Sequence, residues 1–328
     1  MPISRSLRLY LMFAIVVAAL LMPAAGCSST AADKSKPTIT FIEADWSSNL
    51  IGTEIASQIV TQQLGYPTAK VQTSVTAGWA AIAQGDADVA IECWLPQRQY
   101  EIQPFLDAGQ IELGAQIFPG GAGWFMPRFV VEGDADRGIE PIAPGLKSIL
   151  DLKEYWQIFE NPESPGKGEL VGGSPGWSDD PLDRSMIRAY ELPMWRSNQS
   201  ESIMCARMIS ADKKGEPLLM FMWWPHWIFA EVDMVMLEEP DPWYEGAFAD
   251  DSQDYQAGHP PYDVRTVVAS RLEDSAPEIY KLITNMQLGE ETANALMLRV
   301  DVNEEEISAV AADWISQNQS TIDDWLNN

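Results

Sequence analysis

Residues 38–64 read TITFIEADWSSNLIGTEIASQIVTQQL, and this stretch decides the fold class. Thr38-Ile39-Thr40-Phe41-Ile42 is a short apolar, partly β-branched run of the kind that forms a buried strand. After Trp46, the polar Ser47-Ser48-Asn49 can cap a helix that the sequence carries to about Leu64, and Gly65 ends it. The same grammar continues: Val71 to Val75 predicts a strand, Trp79 to Ala83 a short helix, and Gly85-Asp86-Ala87-Asp88 a turn into the strand Val89-Ala90-Ile91. Strand and helix in alternation predict an α/β fold whose mainly parallel sheets are covered by helices on both faces.

Further along, strands are expected near Trp124 to Val131, at Leu170-Val171-Gly172, at Pro217 to Phe221 and at Val264 to Ala269. Helices are expected from about Leu182 to Glu191 and from Glu201 to Ser210, with a Pro/Gly-rich excursion from Asn161 to Gly168. The chain after Ala269 is mostly helical, since Ile279, Leu282, Ile283 and Met286, and then Ile307, Val310, Ala311 and Trp314, keep the 3.6-residue period.

At the other end, Arg5 and Arg8 precede an apolar run from Leu9 to Met22 and then Pro23-Ala24-Ala25-Gly26-Cys27. This is the pattern of a secretory signal over residues 1–26. The run is shorter than the ~20 residues a membrane helix needs. A cysteine after Ala-Ala-Gly resembles the bacterial lipobox, which implies lipidation at Cys27 and a lipid-anchored protein in the cell envelope, outside the cytoplasm. Ala24 stands where that pattern prefers leucine. Residues 27–36 are small and polar and read as a flexible tether.

The 328 residues carry 21 basic and 48 acidic side chains, a net charge of −27; without Arg5 and Arg8, 19 basic groups face 48 acidic ones and the charge is −29. Nucleic acid is excluded as a partner, because affinity for phosphates comes from basic residues. A cationic solute is mildly attracted at long range. Cys93 and Cys205 lie in apolar contexts and read as buried free thiols, with a disulfide between them the lesser alternative.

The 13 tryptophans matter by placement rather than number. Trp46, Trp94, Trp124 and Trp223 fall at or just beyond the ends of predicted strands, and Trp177 follows one across Ser174-Pro175-Gly176. Ligands of open α/β sheets bind outside the carboxyl ends of the strands, so five indoles can converge there. A methylated ammonium cannot donate a hydrogen bond, and ring faces recognise it by attracting the cation and burying its methyl groups, at about 0.5–2 kcal/mol per face. Trp79, Trp156, Trp195, Trp314 and Trp325 fall in predicted helices or at their ends and read as core; Trp224, Trp227 and Trp243 are left between supporting the box and lining an interface.

Ala44-Asp45-Trp46-Ser47, Gly85-Asp86-Ala87-Asp88 leading to Cys93-Trp94-Leu95-Pro96, Gly173-Ser174-Pro175-Gly176-Trp177, and Trp223-Trp224-Pro225-His226-Trp227 together resemble the glycine betaine and choline substrate-binding proteins of ABC importers, of the OpuAC/ProX type. The resemblance spans nearly all of the chain after the signal. It implies a two-lobed periplasmic-binding-protein fold (type II) with a ligand cleft between the lobes, hinge closure, and delivery to the importer's transmembrane subunits. It puts rings at Trp94 and Trp223, adds Trp46 and Trp124 from choline-binding members, and Trp177 from betaine-binding ones. In the latter the carboxylate end is held by backbone N–H groups matching Trp177, Ser178 and Asp179. Asp179 and Asp180 depart from that pattern, since they repel a carboxylate unless they turn away to cap the following helix. Arg128 and Arg184 either hold the carboxylate of a longer ligand such as carnitine or lie on the surface. The lobes are expected at 37–118 plus 233–328 and at 119–232.

The expected ligand is thus glycine betaine or choline, with carnitine or proline betaine as related alternatives and a sugar as the more distant one, because aromatic platforms also stack on sugar rings. No cofactor or metal is implied. An enzyme is disfavoured: His226 and His259 are the only histidines, neither has HExxH spacing, no Gly-x-Ser-x-Gly or phosphate loop occurs, and adjacent acids do not make a glycosidase pair.

Overall fold

In the computed structural model, residues 35–97, 99–177, 179–247 and 253–327 are described. The expected signal, Cys27 and residues 27–34 of the tether lie outside them, as does Ser178.

The first strand, β1 (Ile39–Glu43), leads through Trp46 into α1 (Ser47–Gln62). The capping expected of Ser47-Ser48-Asn49 does not occur: no side chain caps this helix, because Asn49 Oδ1 accepts from the Ala44 N–H at 2.8 Å and the Ser47 N–H is taken by Glu201 at 2.8 Å. Strand β2 (Thr68–Gln72) starts three residues before its expected place. It is an exposed edge strand, with Val71 46% exposed, so burial leaves little alternation to read. After α2 (Val75–Gln84) comes β3 (Val89–Leu95), which carries the chain past Ile91 to Trp94. A third helix, α3 (Gln99–Asp107), follows.

Strand β4 (Ile111–Pro127) is 17 residues long and begins well before the expected start near Trp124. Its Gly-rich centre hides the pattern. Then come β5 (Gly168–Gly172), α4 (Asp179–Ala189), β6 (Met194–Asn198), α5 (Glu201–Lys214), β7 (Leu219–Trp224), β8 (Met234–Met236) and β9 (Tyr262–Ala269). Trp195, expected in or near a helix, lies in β6. The C-terminal part is helical, with α6 (Pro277–Asn285), α7 (Glu290–Met297), α8 (Ile307–Gln317) and α9 (Gln319–Asn327); α8 packs on α1 and α9 on α6.

The strands run in the order β2-β1-β3-β9-β4-β7-β5-β6, with β8 on β4. The β2-β1-β3 and β7-β5-β6 groups are parallel, and the joins through β9 and β4 are antiparallel. One strand serves both groups: Ile111 to Gly120 of β4 pair with β9, and from Gly121 onward β4 pairs with β7 and then β8. The result is a two-lobed α/β protein with a mainly parallel sheet in each lobe.

Residues 234–247 and 253–259 contact the segment between β4 and β7. Ser148 bridges Glu238, Tyr190 donates to Asp241 at 2.9 Å, and Arg188 donates to Asp254 at 2.7 Å. Strand β8 hydrogen-bonds the far end of β4, and the chain next joins the β2-β1-β3 group at β9. Among the described residues no helix is long and apolar enough to cross a membrane.

Candidate functional site

Indoles from four strand ends meet in the cleft between the two parallel groups. Trp46 follows β1, Trp94 and Trp223 sit at the ends of β3 and β7, and Trp177 follows β5. They border a cavity of about 70 Å³ whose wall also includes Trp79, Glu92, Asp179, Phe221 and Tyr262. That is several times the ~10–15 Å³ a single water requires, and of a size for a small solute.

The rings hold one another edge to face. Trp177 lies 5.6 Å from Trp46 and 5.2 Å from Trp223, and Trp94 lies 5.3 Å from Tyr262, centroid to centroid. Such pairs contribute about 0.5–1.5 kcal/mol each beyond their burial, which fixes the orientation of the faces before any solute arrives. Two glycines make the room. A Cβ on Gly173 would stand 2.0 Å from the Trp177 ring, and one on Gly120 would stand 2.7 Å from that of Trp94.

Three of the four indole N–H groups are anchored by carboxylates. Trp177 Nε1 donates to Asp45 Oδ1 at 2.6 Å. Trp46 Nε1 and Trp94 Nε1 both donate to Glu92 Oε2, at 2.7 and 2.9 Å. Glu92 is buried, and its other oxygen, Oε1, makes no hydrogen bond; the nearby Ser48 hydroxyl is likewise without one. Burial drives the Glu92 carboxyl up to about 7 despite the pull of the two indole N–H groups toward the charged form, and the Glu201 charge adds to the rise. Glu92 was not among the residues expected from sequence. Its signal was available: a charged residue two places before a cage tryptophan in a strand points to the same face. The β3 ladder also shifts register between Ala90 and Cys93, a bulge of the kind that re-aims side chains beside a site.

Trp124 departs from its expected place. It is fully buried between the sheet and α4, donates to Asp183 Oδ1 at 2.6 Å, and does not line the cavity. Trp79, expected as core, is buried and forms part of the wall. Ser178 lies outside the described residues.

Asp179 lines the cavity, but its carboxylate is held by the buried Arg196. The same guanidinium reaches Asp180 at 2.7 Å and Asp183 at 2.8 Å. Asp183 faces His259 at 3.4 Å, an ion pair without a formed hydrogen bond, and His259 Nδ1 contacts Glu239 Oε1 at 2.5 Å. Burial alone would lower the His259 pKa, but the Glu239 and Asp183 charges outweigh it and raise it to about 10. Burial pushes Asp179 up to about 6 against the Arg196 charge. For Asp183, burial is overcome by His259 and Arg196, and its pKa is lowered. The acids after Trp177 thus serve Arg196; the choice between capping and repelling a ligand resolves into a buried ion cluster.

Arg184 is tied to Asp180 and Asn198, and Arg128 to Asp233 and Glu132, so both side chains serve structural pairs away from the cavity wall. Cys93 and Cys205 are free and buried. Burial pushes Cys93 up to about 12, which leaves it an unreactive thiol.

Residues 37–317 match the family model described as the substrate-binding domain of ABC-type glycine betaine transport systems. Among characterised relatives, the glycine betaine/proline betaine-binding periplasmic protein of Escherichia coli is 25% identical over 287 residues, covering 81% of this chain and 82% of the relative. The trimethylamine N-oxide-binding protein of Pelagibacter ubique is 24% identical over 297 residues, covering 89% and 91%. A solved choline-binding protein of an ABC transporter in complex with choline superposes with a TM-score of 0.72 at 19% identity over 90% of this chain and 93% of that one. Lactococcal OpuAC closed on glycine betaine gives 0.69 at 18% identity over 89% and 100%. At these identities the structures establish a shared fold.

Proposed function

Since the chain belongs to the family of substrate-binding domains of ABC-type glycine betaine transport systems, and so is the substrate-binding receptor of an ABC importer, we propose that its cage takes a small trimethylated ammonium solute. The faces of Trp46, Trp94, Trp177 and Trp223 surround the methyl groups, and the cation–π attraction of about 0.5–2 kcal/mol per face adds to methyl burial. Four faces suffice for micromolar affinity, about 8 kcal/mol, without a formal ion pair.

The observation that carries the choice within this class is Glu92. This buried wall acid has no ion pair among the described residues, and its Oε1 makes no hydrogen bond. A ligand carboxylate turned toward it is disfavoured, so among the betaine and choline class the site prefers a member whose polar end is not a free carboxylate. Choline, a net cation, binds best to ionised Glu92. An N-oxide instead accepts a hydrogen bond from protonated Glu92, and the small cavity suits its size; a relative of this chain is named for that solute.

Calorimetric titration with choline, glycine betaine and trimethylamine N-oxide at pH 6 and pH 8 tests this. With Glu92 at about 7, choline affinity is expected to rise on going to pH 8, by up to about tenfold, and N-oxide affinity to fall. Glycine betaine binding tightest, with no pH dependence, would remove Glu92 from the recognition. Binding of a disaccharide alone would sink the whole class.

The receptor works outside the cytoplasm, held by a lipid on Cys27, and closes by a hinge at the crossing strands. One lobe comprises residues 37–120 and 262–327 and the other 121–261; in support, β4 changes partners between Gly120 and Gly121 and the return comes at Tyr262. The importer's transmembrane subunits receive the closed form.

A further inference from the structure

Behind the cage, away from the methyl-binding faces, a second set of contacts crosses the cleft. The Ser47 N–H, next in chain to Trp46 and at the start of α1, donates to Glu201 Oε2 at 2.8 Å. Glu201 opens α5 in the other lobe, and its Oε1 is 2.8 Å from His226 Nε2. Because His226 Nδ1 accepts from the Ile228 N–H at 3.1 Å, the ring proton lies on Nε2 and is donated to Glu201. The His226 ring in turn packs edge-on against Trp223, 5.0 Å between centroids. One carboxylate therefore joins the chain neighbour of Trp46 to the ring that braces Trp223, and these are two cage faces on opposite lobes.

The first lobe adds Asp301, from the π-helical turn Leu298–Val302, whose Oδ1 accepts from Ser47 Oγ at 2.8 Å. Its other oxygen and the Trp227 Nε1–H of the second lobe are both buried and both without a hydrogen bond. Glu201, Ser47, His226, Trp227 and the Cys205 thiol face Asp301, and Arg299 beside it is turned to Glu305 and Asp313. The two carboxylates come together only when the lobes meet. The contacts border a cleft of about 410 Å³ that also includes Asp45 and Ser200, so solvent and protons have access.

We propose that Glu201 is a positioning residue for solute capture, latching the lobes through Ser47 and His226, and that Asp301 opposes the latch by like charge from the other lobe. Affinity then contains a closure step that no ligand contact supplies, and the two acids move it in opposite directions. Burial and the Glu201 charge raise Asp301 to about 6, so the opposition grows as pH rises through that value.

The test compares wild type, Glu201→Ala and Asp301→Asn by small-angle scattering of full-length protein without added solute at pH 7, and by stopped-flow binding of choline. The radius of gyration is expected in the order Asp301→Asn, wild type, Glu201→Ala, from smallest to largest. Choline dissociation is expected to be at least about tenfold faster in Glu201→Ala and slower in Asp301→Asn, with association changed by less than about threefold. A merely structural pair would lower the thermal midpoints of both variants without this ordering. An unchanged or differently ordered scattering series overturns the latch. Absence of choline binding by wild type counts against the ligand reading alone, because scattering still decides the latch.

Discussion

Glu92 and Trp94 stand two residues apart on one strand, and between them they set both the shape and the charge of the cage. The indole supplies a face; the carboxylate fixes two indoles by their N–H groups and faces whatever sits between them. Replacing Trp94 or Trp223 by Ala removes a face and its methyl contacts, and binding of the preferred trimethylated amine is expected to weaken by about 10- to 100-fold. Trp124→Phe is the contrast: it deletes the hydrogen bond to buried Asp183, which costs about 1–3 kcal/mol of stability, while affinity stays within a few-fold. Chemical denaturation and calorimetry on the three variants separate the roles, and a loss of affinity in Trp124→Phe to match Trp94→Ala would contradict this assignment. Strand-end placement was enough to single out Trp46, Trp94, Trp177 and Trp223. It was not enough to separate them from Trp124, because an indole at such a position turns either to the cleft or to a buried acid, and Asp183 decides that from 59 residues away in the chain.

At the scale of elements, the cage depends on turns that bring rings to strand ends at a fixed height. The turn after β5 seats Trp177 against the backbone of Gly173, where a side chain would collide with the ring. Gly173→Ala is therefore expected to displace Trp177, break its bond to Asp45 and weaken binding more than tenfold, a larger effect than the ~1 kcal/mol typical of a single substitution. Tryptophan fluorescence should shift to the red as the ring becomes more exposed, and an unchanged spectrum with unchanged affinity would refute the seating. The parallel βα units of the first lobe were readable because strands buried on two faces keep an apolar run and helices keep the 3.6 period. Strands β4, β6 and β8 were less so. The centre of β4 is broken by glycines, β6 carries Arg196 and Asn198, and β8 is three residues long, so each lacks the pattern by which strands are recognised.

For the whole molecule, the buried ion cluster from Arg196 to His259 couples the fold to pH. His259 is held at about 10 against an ordinary 6.5. Its charged form is favoured by the folded state, so its contribution is complete below pH 6.5 and is lost as pH rises toward 10. Glu92, raised to about 7, acts in the same direction at lower pH: the folded state holds its proton more tightly, and that contribution fades between about 4.5 and 7. The thermal midpoint is expected to fall steadily between pH 6.5 and 10, and His259→Gln should flatten that limb while lowering the plateau. A wild-type midpoint that rises over this range would rule the coupling out.

The sequence by itself determined the α/β class, the two-lobed architecture through its family motifs, and four of the indoles that border the cavity, because periodicity and strand-end tryptophans are local properties that survive without coordinates. The tertiary structure alone decided the polar half of the site. It drew Glu92 into the cage, withdrew Asp179 and Asp180 onto Arg196, and turned Trp124 away. Those outcomes rest on which charge meets which across long stretches of chain, and a buried carboxylate has no fixed meaning until its partners are known.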